Sequence, residues 1–268
     1  MKIITLTTDW GADGTYVGAF KGRLLSLLPE LTIVDVSHQI TPYDIGQAAF
    51  TLRGCYKLFP KGTIHVLGVG GEISRKQPTS RNYIAFQKDD YYFIGNDDGI
   101  WKLIFEDITE DIYKLPSNKA INEFAAFPEL GIYVDAIQKI YAEKPLSTLG
   151  KLHEFQILFN PGRAAIHSSM INGEIIHFDT FGNAITNITK EDFERVGKGR
   201  SFEIYIGSYH SNYKIVKINN EYCETISGNL LAIFSYAGFL EIAIANGRAI
   251  DLLNVKQNKE VRIKFSDK

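Results

Sequence analysis

Cysteine is almost missing from this chain. Its 268 residues hold two, Cys55 and Cys223, far apart and in no C-x-x-C pair. That spacing argues against a disulfide scaffold or a thiolate metal site, and two buried free thiols are expected. Long apolar runs are missing as well; no stretch approaches the ~18 residues that a membrane-spanning helix needs. Runs of one charge are missing too: 29 basic against 31 acidic residues leave a net charge of -2. Nucleic acid or an anionic membrane would call for clustered Lys and Arg, so neither is expected as the main partner. The first residues show no basic region, apolar core and small-residue cleavage site, so no secretory signal is read and a cytoplasmic location is expected. The usual catalytic templates are absent: no HExxH, no Walker loop, no GxSxG. The six histidines are scattered, and His167 beside Ser168 has no placed Asp partner for a triad. No metal site is expected.

What is present reads as two regions. In the first, strand-like runs (IITLTT, TIVDVSH, TIHVLGV) alternate with helical patterns. Val17, Phe20, Leu24, Leu27 and Leu28 fall at helical spacing, and Ile45, Ala48, Ala49, Leu52, Tyr56 and Phe59 do so after Pro42, a good residue to start a helix. Strand-helix-strand order predicts a mostly parallel sheet with right-handed crossovers. NYIAFQKDDYYFIG reads as a hairpin turning at Lys88, Asp89 and Asp90, and a helix is expected from about Leu130 to Ala142. Beyond Asn160-Pro161-Gly162 come short strand-like runs between Gly, Asn and Asp, with almost no helical pattern: GEIIHFDTFGNAITNI, SFEIYIG, YKIVKIN, LLAIFSY, FLEIAIA and VRIKF. They predict a small β-barrel or sandwich. The domains are therefore placed at 1–158 (α/β) and 171–268 (all-β, barrel-like), with 159–170 as a linker.

Three stretches bear on chemistry. TTDWG puts Asp9 where the first strand should end, at the crevice where open α/β sheets bind ligands. Asp13 follows; the pair reads either as a ligand grip or as a turn and a helix cap. GNDDG (Gly95 to Gly99) follows the hairpin. HFDTFGNAITNI would align Asp179, Phe181 and Asn183 on one face if its strand is regular, suiting a ligand with an ammonium, a ring and hydroxyls. The alternative is a turn at Gly182-Asn183 with Phe181 in the core. GVGGE (Gly68 to Glu72) resembles a phosphate-cradling turn, but a lone glycine turn is a weak signal and tight-turn geometry is the favoured explanation.

The order of the pieces TTDWG…YVGAFKG, VDVSHQITPYDIGQAAF, FIGNDDGIW, DTFGNAITN and GFLEIAIANGRA resembles the S-adenosylmethionine hydroxide adenosyltransferase family, which includes the fluorinase and chlorinase. The resemblance spans nearly the whole chain. It implies an α/β domain followed by a β-barrel domain. It also implies a homotrimer with S-adenosylmethionine held between the first domain of one subunit and the second of its neighbour, as substrate or ligand and with no further cofactor. By the same resemblance Asp9 grips the ribose hydroxyls and Tyr43 lies against the ligand. Asp179 and Asn183 hold the methionine ammonium and carboxylate, Phe181 stacks on adenine, and Tyr236 and Ala249 line the adenine pocket. Asp13 departs, because the family's second aspartate falls at Gly14; a helix cap is its alternative role.

The catalytic set departs further. The family's hydrolases use Asp, Arg and His on water. Here the Asp position is Val66, followed by Leu67 for Pro, and Arg75 comes two residues late. The FHGRD stretch of the His reads FPELG, with Phe127 kept and Pro128, Glu129, Leu130 and Gly131 following. Val66 also stands where halogenases keep Tyr, so a halogenase is not expected. Glu129 is the candidate replacement base, its alternative being a solvated helix-opening residue; Arg75 and Asp98 are further candidates. Attack on ribose C5′ expels a good leaving group from a sulfonium, so orientation supplies much of the rate and a base adds ~10²–10⁴-fold. The expected function is hydrolysis of S-adenosylmethionine to adenosine and methionine, possible at a slow rate without the usual set. The alternatives are a non-catalytic binding module for the same ligand and a site for another nucleoside.

Overall fold

The computed structural model describes residues 2–70, 81–105, 107–116, 124, 126–155, 163–207 and 214–266. The chain divides into two compact units, Met1–Asn160 and Pro161–Lys268. In the first, strands β1 (Ile3–Thr8), β2 (Thr32–Ser37), β3 (Ile64–Gly68), β4 (Tyr83–Lys88), β5 (Tyr91–Asn96), β6 (Ile112–Lys114) and β7 (Lys151–Leu152) form one sheet. Their order is β2-β1-β3-β5-β4-β6-β7. β1 pairs in parallel with β2 and β3, and β3 with β5. β4 runs antiparallel to β5 and β6, and β6 to β7. The expectation of a mostly parallel sheet is thus corrected: the described sheet is mixed. The cause is the two-residue turn Asp89-Asp90, with φ of 52° and 67°. Left-handed backbone at both positions matches the twist of a tight hairpin, and two residues leave no room for a crossover helix.

Helices α1 (Thr15–Leu27), α2 (Ile45–Cys55), α3 (Ile100–Ile104) and α4 (Glu129–Tyr141) pack on this sheet among the described residues. One face of the sheet packs Ile4, Leu6, Val66, Ala85 and Ile94 against Phe20 and Leu24 of α1 and Ile132, Tyr133 and Ile137 of α4. The other packs Leu67, Ile84, Phe86 and Phe93 against Leu52 of α2 and Trp101 of α3. Each helix buries the stripe that its 3.6-residue spacing lays on one side, which gives three layers. Pro42 does not open α2; Asp44 caps it, Oδ1 accepting from the Gln47 N–H at 2.9 Å. Asp13 is not a cap either, since Gly14 holds that position in α1 with no side-chain hydrogen bond.

In the second unit β8 (Ala165–Ile166), β9 (Met170–Phe178), β10 (Ala184–Thr189), β11 (Phe202–Ile206), β12 (Lys214–Ile215), β13 (Ile218–Asn219), β14 (Leu230–Phe234), β15 (Phe239–Ile244) and β16 (Glu260–Phe265) form a nearly closed, barrel-like sheet. Its order is β12-β11-β16-β9-β10-β15-β14-β13, with β8 beside β9. β8 falls within the stretch read as a linker, whereas Asn160, Pro161 and Gly162 lie outside the described residues. Inward residues such as Ile171, Ile175, Ile204, Leu240, Ile242 and Ile263 fill the core. Two helices, α5 (Lys190–Gly197) and α6 (Ala249–Leu252), join it. α5 is too short to show a period in sequence. It starts because the Thr189 hydroxyl accepts from the Asp192 N–H, with Glu191 and Asp192 at the positive end of the helix.

Both cysteines are free. Cys55 is half-buried, which pushes its thiol up to about 11. Cys223 is exposed in a short turn, correcting the expectation of two buried thiols. Among the described residues no helix is long and apolar enough to cross a membrane.

Candidate functional site

Three neighbouring parallel strands, β1, β3 and β5, end on the same edge of the first sheet. Asp9 follows β1, Gly68 and Gly70 end and follow β3, and Asn96 ends β5; all four line a pocket of about 300 Å³. Here the open carboxyl edge of a sheet forms a crevice, as α/β architecture favours. Its walls are aromatic. Trp10 packs edge-on against Phe20 at 5.1 Å and Phe127 at 4.8 Å, and Tyr16 against Phe127 at 5.0 Å. Gly68 is required by this packing, because a Cβ there would lie 2.4 Å from the Trp10 ring.

The floor is charged. Arg81, just before β4, faces Glu129, the first residue of α4, with Nη1 and Oε1 3.5 Å apart. Strand alternation explains the meeting. Tyr83 pairs with Asn96 and Ala85 with Ile94, so these four share a sheet face, and Arg81 lies two residues before Tyr83. α4 covers that face through Tyr133, whose ring meets Tyr83 edge-on at 5.7 Å. Glu129 is buried, with 7% exposure, correcting the alternative of a solvated residue. Burial raises its pKa and nearby Asp9 adds to the rise, while its own backbone N–H and Arg81 oppose it. Burial also raises the Asp9 pKa, against hydrogen bonding from the Tyr43 N–H, its own backbone and Arg81. For Arg81, burial lowers the pKa, but the hydrogen bond to Tyr83 together with the charges of Tyr83, Glu129 and Tyr133 outweighs it, so the net shift is upward and the cation is kept.

Tyr43 lines the same pocket with a left-handed backbone, φ 67°. Outside glycine and Asn or Asp this conformation costs ~1–2 kcal/mol. It directs the Tyr43 N–H to Asp9 Oδ2 at 3.2 Å, fixing that carboxylate at the pocket mouth.

The other expected catalytic residues are placed differently. Val66 is fully buried in the core, so the position holding the family's Asp presents nothing to the pocket. Arg75 lies outside the described residues, as do Gly71 and Glu72 of the glycine turn. Asp98 is buried and does not line the pocket; its neighbour Asp97 pairs with His153 at 2.8 Å. Arg81 and Asn96 were not singled out from sequence. The signal was available, since the register counted outward from the Asp89-Asp90 turn puts both beside the strand end.

In the second unit the same-face reading of Asp179, Phe181 and Asn183 is corrected. β9 ends at Phe178 and the three residues form the connection to β10, where Gly182 has φ 82°. Asp179 binds the turn together: Oδ1 accepts from the Asn183 N–H at 2.8 Å and Oδ2 from Asn183 Nδ2 at 3.0 Å. Phe181 is not in the core; it is 76% exposed, and Tyr236 is 85% exposed. Ala249 opens α6 and is fully buried in the barrel core. Glu241, also not singled out, is buried on β15 and accepts from the Tyr222 hydroxyl. Burial raises its pKa, Tyr222 opposes the rise, and Asp179 adds to it.

Residues 4–150 match the SAM hydroxide adenosyltransferase N-terminal domain and residues 173–262 the C-terminal domain of the same family. The chain is 29% identical to the (R)-S-adenosyl-L-methionine hydrolase of Methanocaldococcus jannaschii, over 98% of this chain and 96% of that one. It is 28% identical to a fluorinase of Actinoplanes sp., over 74% and 75% of the two chains. An uncharacterized conserved protein of Thermotoga maritima shares the fold with a TM-score of 0.83 and 25% identity, over 98% of this chain and all of that one.

Proposed function

The chain belongs to the SAM hydroxide adenosyltransferase family, and from that premise we propose that it hydrolyses S-adenosylmethionine to adenosine and L-methionine. The observation that carries this reading is the buried Glu129 carboxylate, paired with Arg81 in the pocket that Asp9 also lines. A water oxygen attacks the ribose C5′. The C5′–S bond breaks with its electron pair going to sulfur, and the water proton passes to Glu129, which returns it to solvent. Asp9 accepts from the ribose hydroxyls, a natural pairing for a carboxylate. Arg81 holds the Glu129 carboxylate in place and favours its ionised form against the burial that raises its pKa. Asp98, which does not line the pocket, has no part in this step, and Arg75 lies outside the described residues.

The exposed surface of the second unit supplies the remaining contacts of the same proposal. Asp179 and Asn183 take the methionine ammonium and carboxylate, Phe181 stacks on adenine and Tyr236 borders it, whereas Ala249, fully buried in the barrel core, packs behind this surface and does not touch the ligand. Their ligand is completed by a neighbouring copy in a homotrimer, and the protein works in the cytoplasm. The step uses no cofactor. Halide attack is disfavoured because the Asp9 and Glu129 carboxylates, which both line the pocket, repel an anion.

A second reading, a module that binds S-adenosylmethionine without turnover, is favoured by Val66 and Pro128 in place of the family's Asp and His. Incubation of the purified protein with S-adenosylmethionine, with and without chloride, separates the two by chromatography of the nucleosides. Adenosine forming in proportion to protein supports hydrolysis, and a chlorinated nucleoside would make it a halogenase. Unchanged substrate with saturable calorimetric binding would make it a binding module.

A further inference from the structure

Asn96 ends β5 and lines the pocket with only 3% of its surface exposed. The two poles of its amide differ. Oδ1 is enclosed, out of contact with the cavity and with no hydrogen-bond partner. Turning the amide over would enclose two N–H hydrogens in place of one oxygen, so this orientation is the cheaper one. Nδ2 is therefore the pole that meets the pocket. The backbone holds it there: the Asn96 carbonyl accepts from Trp101 Nε1 at 2.9 Å, and the next N–H, that of Asp97, donates to the Asn82 carbonyl.

A neutral donor differs from its neighbours in this pocket. Asp9 and Glu129 only accept when ionised, and the Arg81 guanidinium is turned to Glu129 and Tyr83. A ribose brings both kinds of group: its diol donates, and its ring oxygen O4′ has no hydrogen and only accepts. In a five-membered sugar O4′ lies across the ring from the two diol carbons. The frame has a matching breadth. Thr8 pairs with Gly68 and Leu67 with Gly95, so the ends of β1 and β5 flank the end of β3 at one level. Strands stand ~4.8 Å apart, which sets the two outer ends ~10 Å from each other. β3 adds no side chain between them because it ends in Gly68, and the Trp10 ring lies against that glycine as an apolar wall. A sugar ring with one hydrogen bond of ~2.9 Å at each side fits this breadth.

We infer that Asn96 reads the ring oxygen of the sugar, Nδ2 donating to O4′ while Asp9 accepts from the diol on the opposite edge. This rests on the reading of the pocket as a site for S-adenosylmethionine and deepens it, whether the bound molecule is hydrolysed or only held. Contacts on two opposite edges fix the ring against sliding and turning. C5′ hangs from the carbon next to O4′, so a donor at O4′ also limits where C5′ can stand. The ligand class follows: a sulfonium carried on an oxygen-containing sugar ring, in preference to one carried on an all-carbon ring.

The test is calorimetry on the whole chain with S-adenosylmethionine and with its carbocyclic analogue, in which a CH2 group replaces O4′. If the wild type binds neither, the reading of the pocket falls before any variant is made, and this inference with it. Given binding, the wild type is expected to hold S-adenosylmethionine about 10-fold more tightly than the analogue, the worth of one hydrogen bond. Asn96→Leu keeps the bulk and removes the donor. Its affinity for S-adenosylmethionine is expected to drop about 10-fold, and that for the analogue to change less than about twofold. Should Asn96→Leu lower the melting temperature enough to unfold the protein, Asn96→Ala carries the same expectation. Equal affinity of the wild type for the two ligands overturns the inference and leaves the reading of the pocket intact. So does an Asn96→Leu variant that binds S-adenosylmethionine as the wild type does, or one that loses both ligands alike, which would make Asn96 a support of the fold alone.

Discussion

The two units of this chain present polar groups in opposite ways. In the first, Asp9, Arg81, Asn96 and Glu129 lie in a concave edge between strands and a covering helix, walled by Trp10, Tyr16 and Phe127. In the second, Asp179, Phe181 and Asn183 stand on a hairpin turn with Phe181 open to solvent. Enclosure shifts the pKa values of Asp9 and Glu129 upward, as acid–base chemistry requires of a carboxylate. A presented turn keeps its aromatic ring ready to stack on something that arrives. The difference teaches that one unit encloses its carboxylates while the other offers an open ring, and on the proposed function the first reacts and the second holds.

The largest effect should come from the enclosed side. Glu129→Gln keeps the shape and removes the base, so kcat is expected to fall by ~10²–10⁴-fold with substrate affinity nearly unchanged. In the wild type the rate rises with pH through the Glu129 pKa, which lies above the ordinary carboxylate range, and the variant loses that limb. A parallel loss of affinity would blur the contrast between reacting and holding.

Next comes the interior beneath the pocket. His65 is fully buried on β3, its Nδ1 2.7 Å from the Thr5 hydroxyl, and burial lowers its pKa to about 3. Below pH 6.5 the unfolded chain binds a proton there that the folded chain refuses. Stability therefore falls as pH drops from 6.5 toward 3, by roughly 3 kcal/mol between pH 7 and pH 4. Urea unfolding at the two pH values should show this slope, and His65→Gln should flatten it.

The presented side should answer with binding alone. Phe181→Ala is expected to weaken S-adenosylmethionine binding about 10-fold, in line with ~1–3 kcal/mol for stacking a base on an aromatic ring. Its melting temperature should stay at the wild-type value, since an exposed ring supports no core. Turnover at saturation should also hold; a collapse of kcat would place Phe181 in the reacting part. The smallest effect expected is from Gly182→Ala. Its φ of 82° disfavours a side chain, and the new Cβ would sit 2.9 Å from Arg248 Cβ. A cost of about 1 kcal/mol in stability should come with weaker binding through the displaced Phe181.

Much of this was legible beforehand, and what was not has physical causes. β1, β2 and β3, the hairpin and α4 announce themselves by apolar period and turn residues, and the five motifs carry the family. Strand-helix alternation predicts parallel pairing, but the Asp89-Asp90 hairpin reverses β4, which then pairs antiparallel with both β5 and β6. Phe181 misled because alternation presumes a continuing strand, whereas Gly182 turns the chain. Helix α5 was silent because eight residues bury only Val196 and Gly197. Arg81 and Asn96 escaped because each is unremarkable alone. Their importance lies in cross-strand register and in a helix arriving from more than thirty residues away, between Asn96 and Glu129.

The reversed strand β4 has a consequence for how this crevice can change over time. A purely parallel sheet supplies its ligand edge only from segments that leave strands. Here one segment, carrying Arg81, enters a strand at that same edge. Two independent stretches of chain, read in opposite directions, thus feed one spot. On β3, Val66 is packed in the core and offers the pocket no charge, while a cation, Arg81, arrives by the other route and meets a carboxylate from α4. Redundant supply of this kind lets a fold exchange its reactive groups one at a time without rebuilding the frame that holds them.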